Sequence, residues 1–318
     1  MEIIKGDYLD ILGKRKIAFF ISAIFVIVGF VAVFAIPLGK ANLGTDFSGG
    51  LSVQLRFEKP LEMDRMRDAL KAGGFEDADL QEITGGNKLL VRLKRNKDVT
   101  GTGTAIGEVF RKAMPDNPFV VDSTTEVGPT VGKKLQEDAL WAVLISLVGI
   151  FIYVAWRFQI RFGLAAVLAT FHDVLAVLGI LFILDREINL LIITALLTIA
   201  GYSLNDTVVV FDRIRENMRK GGKDSFEVLV NKSITEVLRR TVVTSVTTLL
   251  VLVVLLLIGG EVIHDFSLAL FLGVLIGTYS SIFVASPLLL LWKGKGHGSG
   301  AGSKAKASAA SVKVKALP

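Results

Sequence analysis

Six long apolar runs, separated by short charged loops and one long polar insert, set the organisation of this chain. They are Ile17–Ile36, Leu140–Trp156, Gly163–Leu184, Ile188–Phe211, Val242–Gly260 and Phe266–Leu291. Each comes near the ~20 residues that a helix needs to cross a bilayer, the second being the shortest. The pattern predicts six transmembrane helices.

Between the first and second runs the period changes. The stretch opens with Gly44-Thr-Asp-Phe-Ser-Gly-Gly50, a tight turn leaving the membrane. It looks superficially like a phosphate loop, but it precedes a strand and lacks the lysine. Leu51–Phe57 alternates apolar and polar residues, as a strand with one buried face does. From Pro60, Leu61, Met66 and Leu70 space the apolar face of a helix that Gly73-Gly74 stops. Leu80–Ile83 and Lys88–Arg95 are strands around a turn at Gly85-Gly86-Asn87. Thr104–Met114 is a helix ending at Pro115, and Phe119–Val127 the last strand. The order β-α-β-β-α-β is the ferredoxin-like split βαβ unit. A small sheet of this kind can dock a neighbour or grip an extended polypeptide along an edge.

The expected fold is thus a polytopic α-helical membrane protein with a ferredoxin-like α+β external domain between helices 1 and 2. Residues 1–37 form a tail and the first span, and 38–137 the external domain. Residues 138–292 hold spans two to six with a cytoplasmic loop 212–240, and 293–318 form a disordered, Gly-, Ala-, Ser- and Lys-rich tail.

Composition conflicts with itself until charge is located. Hydrophobic residues are 52% and charged residues 21%, with a mean hydropathy of +0.57. The charges gather in Lys40–Glu137 and the short loops. Lys5, Lys14, Arg15 and Lys16 precede the first span, and Arg157 and Arg161 follow the second. Arg213, Arg215, Arg219, Arg239 and Arg240 stand among the basic residues after the fourth, and more lysines follow Leu291. The remaining short loops offer only Arg186. The positive-inside rule therefore puts both termini in the cytoplasm and the insert outside. The net charge of +6 reports cytoplasmic loops beside an anionic lipid leaflet rather than nucleic acid. The first span is an uncleaved anchor, longer than a signal peptide's apolar region. With no cysteine there is no disulfide, thiol catalysis or thiolate metal site. The external domain also lacks histidine, so neither metal binding nor nucleophilic catalysis is indicated there.

The candidate chemistry lies in the membrane. Asp206 sits in an otherwise apolar span, where a carboxylate costs about 2.5–3.5 kcal/mol on insertion scales. Such residues face a bundle interior or a water-filled path. Thr198, Tyr202, Asn205 and Asp206 make a polar stripe on the fourth span. Arg240, Thr244, Thr247 and Thr248 make another on the fifth, and His172-Asp173 interrupt the third. Spans three to five are expected to surround one polar interior. Asp206 lies five residues before Phe211, ~8 Å below the inner boundary at ~1.5 Å per residue, where Arg240 can reach it. Arg240 also suits a plain positive-inside anchor, and His172-Asp173 suits local helix–helix hydrogen bonding. The sixth span carries Gly273, Gly277 and Ser280-Ser281, a small-residue face for close packing. Asp212–Arg240 is expected to be a helical hairpin broken at Gly221-Gly222. Phe226, Leu229/Val230, Ile234 and Val237/Leu238 would press its apolar face on the membrane or on neighbouring protein.

These motifs together resemble the SecF family, the smaller half of the bacterial SecDF protein-export complex, in the resistance–nodulation–division (RND) superfamily. The resemblance rests on Gly44–Gly50, Phe171-His-Asp-Val174, Gly201-Tyr-Ser-Leu-Asn-Asp206, Asp212-Arg-Ile-Arg-Glu-Asn217 and Arg240-Thr-Val-Val-Thr-Ser245. It covers nearly the whole chain, and Gly201–Asn217 is its most specific stretch. It implies an RND-type half that joins SecD in a heterodimer in the bacterial cytoplasmic (inner) membrane. With SecD it would use the proton gradient to help unfolded precursor polypeptide leave SecYEG, with YajC and YidC as further partners. Asp206 and Arg240 take the proton-coupling roles, supported by Asn205, Thr244, Thr247, Thr248, His172 and Asp173. No cofactor beyond the proton gradient, no metal and no enzymatic activity are expected, and a lone copy should be incompetent. The competing readings are half of a small-solute proton antiporter and an intramembrane aspartyl protease using Asp173 and Asp206.

Overall fold

The computed structural model describes residues 8–83, 87–93, 102–221 and 224–291, without the side chains of residues 261 and 262. The turn at Gly85-Gly86, the last two residues of the Lys88–Arg95 strand and the tail 293–318 lie outside the described residues.

Six helices long and apolar enough to cross a membrane are found among the described residues. They are α1 (Arg15–Ala35), followed after the insert by α5 (Pro129–Arg157), α6 (Ile160–Ile183), α7 (Leu190–Lys220) and α8 (Phe226–Ile258), and a broken sixth. The sixth runs as α9 (Glu261–Ser280), a π-helical turn Ser281–Ala285 and α10 (Ser286–Leu291). Pro287 lacks the N–H of a regular ladder, and the Ser286 hydroxyl donates to the Ser281 carbonyl at 2.9 Å. The α5 helix begins at Pro129, the first-turn position where a missing N–H costs nothing. It takes over part of the stretch assigned by sequence to the external domain.

The buried α6 is the hub, packed by α1, α5, α7 and α9. On α1 the inward face is small: Ala18, Ser22, Gly29, Ala32 and Ala35 are buried, while Ile17, Phe20, Ile27 and Phe34 project outward. Small residues let backbones approach where lipid supplies no hydrophobic drive between helices. A Cβ on Gly29 would stand 2.4 Å from the Leu175 carbonyl oxygen, and one on Gly179 2.8 Å from the Gly29 nitrogen. On α5 and α8 the large apolar side chains remain exposed, as a lipid-facing surface requires, Trp156, Leu257 and Ile258 among them.

The insert carries α2 (Thr45–Ser48), β1 (Gly50–Phe57), α3 (Met63–Ala72), β2 (Ala78–Ile83), β3 (Lys88–Leu93), α4 (Thr102–Ala113) and β4 (Phe119–Val127). The β-α-β-β-α-β order matches the sequence reading, preceded by the one-turn α2. The sheet is antiparallel throughout, in the order β2-β3-β1-β4. Alternate residues Leu51, Val53, Leu55 and Phe57 of β1 are buried with Met66 and Leu70 of α3 and Ile106 and Phe110 of α4. Each such large apolar side chain contributes about 1.5–3 kcal/mol on burial. Gly49 and Gly50 take φ of 67° and 124°, open to glycine without strain. β4 is left as an exposed edge, with Val120 and Val121 outward.

At the end opposite the sheet, α7 runs on to Lys220 and α8 starts at Phe226, capped by the Ser225 hydroxyl. Phe226, Leu229, Val230, Ile234, Val237 and Leu238 pack with Ile11 and Leu12. The hairpin's apolar face therefore packs on protein. Asn231 fastens the N-terminal segment: its Oδ1 accepts from the Ile11 and Leu12 nitrogens at 3.2 and 3.0 Å.

Candidate functional site

The polar residues of the membrane region fall into two groups, not the single enclosed interior expected from sequence. One group is buried. Asp206 is 4% exposed and its Oδ2 has no hydrogen-bond partner among the described residues. Ser245 and Arg240 of α8 lie near the carboxylate, neither with a hydrogen bond or ion pair to it among the described residues. Ser245 shares a 2.7 Å hydrogen bond with Thr278 of α9. Three helices thus converge at this carboxylate.

Beside it lies a second buried acid. Asp173 is fully buried; its Oδ1 meets His172 Nδ1 at 2.8 Å and its Oδ2 accepts from the Ser203 hydroxyl. Ser280 also approaches it, without a well-formed hydrogen bond of its own. Ser203 precedes Asp206 by three residues on α7, so the two occupy the same buried face one turn apart. A Cβ on Gly277 would touch the Ser203 side chain at 3.0 Å, which explains why α9 comes close enough to bring Ser280 to Asp173. The two aspartates have separate neighbours, an arrangement unlike a dyad sharing one proton.

The other group faces outward. Thr198 and Asn205 of α7 and Arg240, Thr244 and Thr247 of α8 are exposed; Tyr202 and Thr248 are half-buried and joined hydroxyl to hydroxyl at 3.2 Å. The reason is rotational. Asp206 turns inward on α7, so Asn205, about 100° around the helix, turns outward. Thr244 and Thr247 satisfy their own hydroxyls on backbone carbonyls within α8. A polar face spans α7 and α8, bordered by the buried Asp206.

At the sheet end, a strap joins the insert to the loop between α6 and α7. The Gly44 nitrogen donates to the Ile188 carbonyl at 2.9 Å and the Ile188 nitrogen to the Asn42 carbonyl at 2.8 Å. Asp46 accepts from the Leu190 nitrogen at 3.1 Å, at the first turn of α7. Arg92 of β3 forms an ion pair with Glu187. Burial pushes the Glu187 carboxyl up from its ordinary value against the pull of Arg92, and Asp46 and Asp265 add to the rise.

Two family models match the chain. The C-terminal model of the SecD/SecF protein export membrane proteins covers residues 107–295, and the SecD/SecF GG motif covers residues 35–61. The protein translocase subunit SecF of Thermodesulfovibrio yellowstonii is 52% identical, over 92% of this chain and 97% of its own length. The chain belongs to the SecF family. SecF of Vibrio alginolyticus is 43% identical over 91% of each chain. Among solved structures, SecDF of Thermus thermophilus is similar at 37% identity with a TM-score of 0.80, covering 92% of this chain. SecDF in its super-membrane-facing form gives 35% identity and a TM-score of 0.65 over 98% of this chain. The chain spans only 40% and 41% of those two SecDF chains. The family is one of protein translocase subunits, and its GG motif covers the strap, α2 and β1 of this fold.

Sequence reasoning singled out Asp206, Arg240 and His172-Asp173, of which the structure buries Asp206, His172 and Asp173 and leaves Arg240 exposed. It missed Ser203, Ser245, Thr278 and the Arg92–Glu187 pair. The serines and threonine are common in membrane helices as backbone-bonded residues, so type alone does not single them out. Asp173→Asn should lower stability by about 1–2 kcal/mol, since the amide cannot accept from both His172 and Ser203 as the carboxylate does. Unfolding in mild detergent would measure the loss.

Proposed function

We propose that this chain is one half of a proton-driven protein-export unit. Paired with a SecD-type subunit, it uses the proton gradient to help precursor polypeptide leave SecYEG, with YajC and YidC as further neighbours. The observation that carries this reading is Asp206, a buried carboxylate whose Oδ2 has no hydrogen-bond partner among the described residues, beside a polar face left exposed on α7 and α8. A polar face turned to lipid is costly, whereas a second six-span half would cover it and enclose Asp206. Asp206 takes up a proton from the outer side and releases it inward; Arg240 favours its ionised form. Asn205, Thr244, Thr247 and Thr248 line the same seam, and His172-Asp173 braces it from within. The strand order and exposed edge β4 support a ferredoxin-like external domain able to meet a partner or an extended polypeptide. Neither a cofactor nor an enzymatic step is part of this reading.

The test is precursor release into vesicles holding SecYEG and either this chain alone, its partner alone or both, with the gradient on and off. Gradient stimulation only with both supports the proposal; stimulation by the chain alone overturns it.

The bundle is oriented with both termini in the cytoplasm of a bacterial inner membrane. In this cysteine-free chain, Glu76→Cys should react with an impermeant reagent from outside and Ser225→Cys only from inside. Labelling of Glu76→Cys from the cytoplasm would reverse the orientation.

A further inference from the structure

The helix that carries Asp206 does not follow directly from the sheet along the chain. The sheet is tethered through its chain ends to α1 and α5, whereas α7 meets it only through non-covalent contacts. Those contacts are concentrated. Leu43 pairs with Ile188 as an isolated parallel bridge, flanked by the Gly44–Ile188 and Ile188–Asn42 backbone hydrogen bonds. The Asn42 side chain donates to the Asp185 carbonyl at 3.1 Å. Asp46 holds the first turn of α7. The strap lies so close that a Cβ on Gly44 would meet Glu187 Oε1 at 2.5 Å and Asn189 Cβ at 2.8 Å.

Among the described residues, an ion pair goes past the strap to the sheet itself. Arg92 is on β3, an interior strand paired on both sides, opposite Ser52 of β1 and Asp79 of β2. Its guanidinium meets Glu187 and lies 3.5 Å from the Asn42 carbonyl oxygen of the side chain. The two side chains are 12% and 20% exposed, against 41% and 46% for the Arg15–Glu227 pair at the other end. A shielded pair holds its geometry better than a solvated one, because water neither screens nor replaces it. From Leu190 to Asp206, α7 is one unbroken helix without proline. A shift at Asp206 is therefore delivered along a stiff rod about 24 Å long to Leu190, three residues after Glu187 of the preceding loop.

We propose that Arg92 and Glu187 are the positioning residues that carry movement of α7 into the external sheet. The proposal rests on the proton-site reading of Asp206 for the origin of the movement. The clasp itself can be tested apart from it. The full chain, assembled with its SecD-type partner and reconstituted with SecYEG, is spin-labelled at Asp68→Cys on α3 and Leu184→Cys at the end of α6. The variants are Glu187→Gln, Arg92→Gln and the charge-reversed pair Arg92→Glu with Glu187→Arg.

Each single variant should broaden the distance distribution between the labels and cut gradient stimulation of export by about fivefold or more. Proton uptake should stay near the wild-type rate, which a general loss of structure would not allow. The charge-reversed pair should narrow the distribution again and restore stimulation. Single variants with wild-type distances and wild-type stimulation overturn the proposal, and so does a charge-reversed pair that stays as broad as the singles. Asp206→Asn, run in parallel, judges the other reading. Gradient stimulation that survives Asp206→Asn removes Asp206 as the origin of the movement, while the label distances and charge-reversal rescue still decide the clasp.

Discussion

Asp206→Asn should abolish the gradient-dependent part of export and leave assembly with the partner subunit intact. Asparagine keeps the size and shape of aspartate, so the packing of α7 against α6, α8 and α9 is preserved. The amide breaks no hydrogen bond, since the carboxylate makes none among the described residues, its buried Oδ2 included. What is lost is titration, together with the charge change that alters helix packing when a proton arrives or leaves. The expected loss is about tenfold or more in gradient-stimulated release, to the level seen without a gradient. Arg240→Met should have the same sign, because removing the cation disfavours the ionised form of Asp206 and slows proton release. Thr124→Ala, on the exposed face of β4, should leave proton coupling unchanged. Precursor release at matched expression, with the gradient on and off, makes the measurement. Full stimulation in Asp206→Asn would sink the assignment.

The second large effect is structural. Gly29→Leu should destabilise the bundle by about 3 kcal/mol or more, at or beyond the upper end of ordinary overpacking costs. The reason is that its first added atom would land 2.4 Å from the Leu175 carbonyl oxygen and 2.7 Å from the carbon. Both are backbone atoms of the central helix, so no side-chain rotation relieves the clash, and α1 must swing away from α6. Gly29→Ala meets the same Cβ contact and should already cost a large part of this. Gly149→Ala, where a Cβ meets nothing within 4 Å, should be neutral or slightly stabilising through helix propensity. Unfolding of the purified variants in a denaturing detergent series would rank the three. Equal stability of Gly29→Leu and wild type would show that α1 and α6 are not packed this closely.

Features that depend on neighbouring residues were legible in the sequence. Hydropathy located all six helices because a span must satisfy its own backbone and cover it with apolar side chains. Alternation located the strands of the insert for the same local reason. Asp206 stood out because a carboxylate amid leucine, valine and alanine is rare at any depth. The polar stripes were also legible as stripes. Their direction was not: helical spacing says which residues share a face but leaves open what that face meets. Thr244 and Thr247 share a face with Arg240, and the structure turns it outward.

By itself, then, the sequence determined the number of helices, the β-α-β-β-α-β insert and the presence of an intramembrane acid. Each is written in a period of two or 3.6 residues and needs no distant partner. The tertiary structure alone decided what lies between elements. It joined Arg92 to Glu187, Asp173 to Ser203 and Gly29 to Leu175, pairs far apart along the chain. It also separated the buried acids from the exposed polar face. Contact between helices in lipid depends on small residues and single hydrogen bonds rather than on an apolar pattern, so nothing periodic in the chain records it.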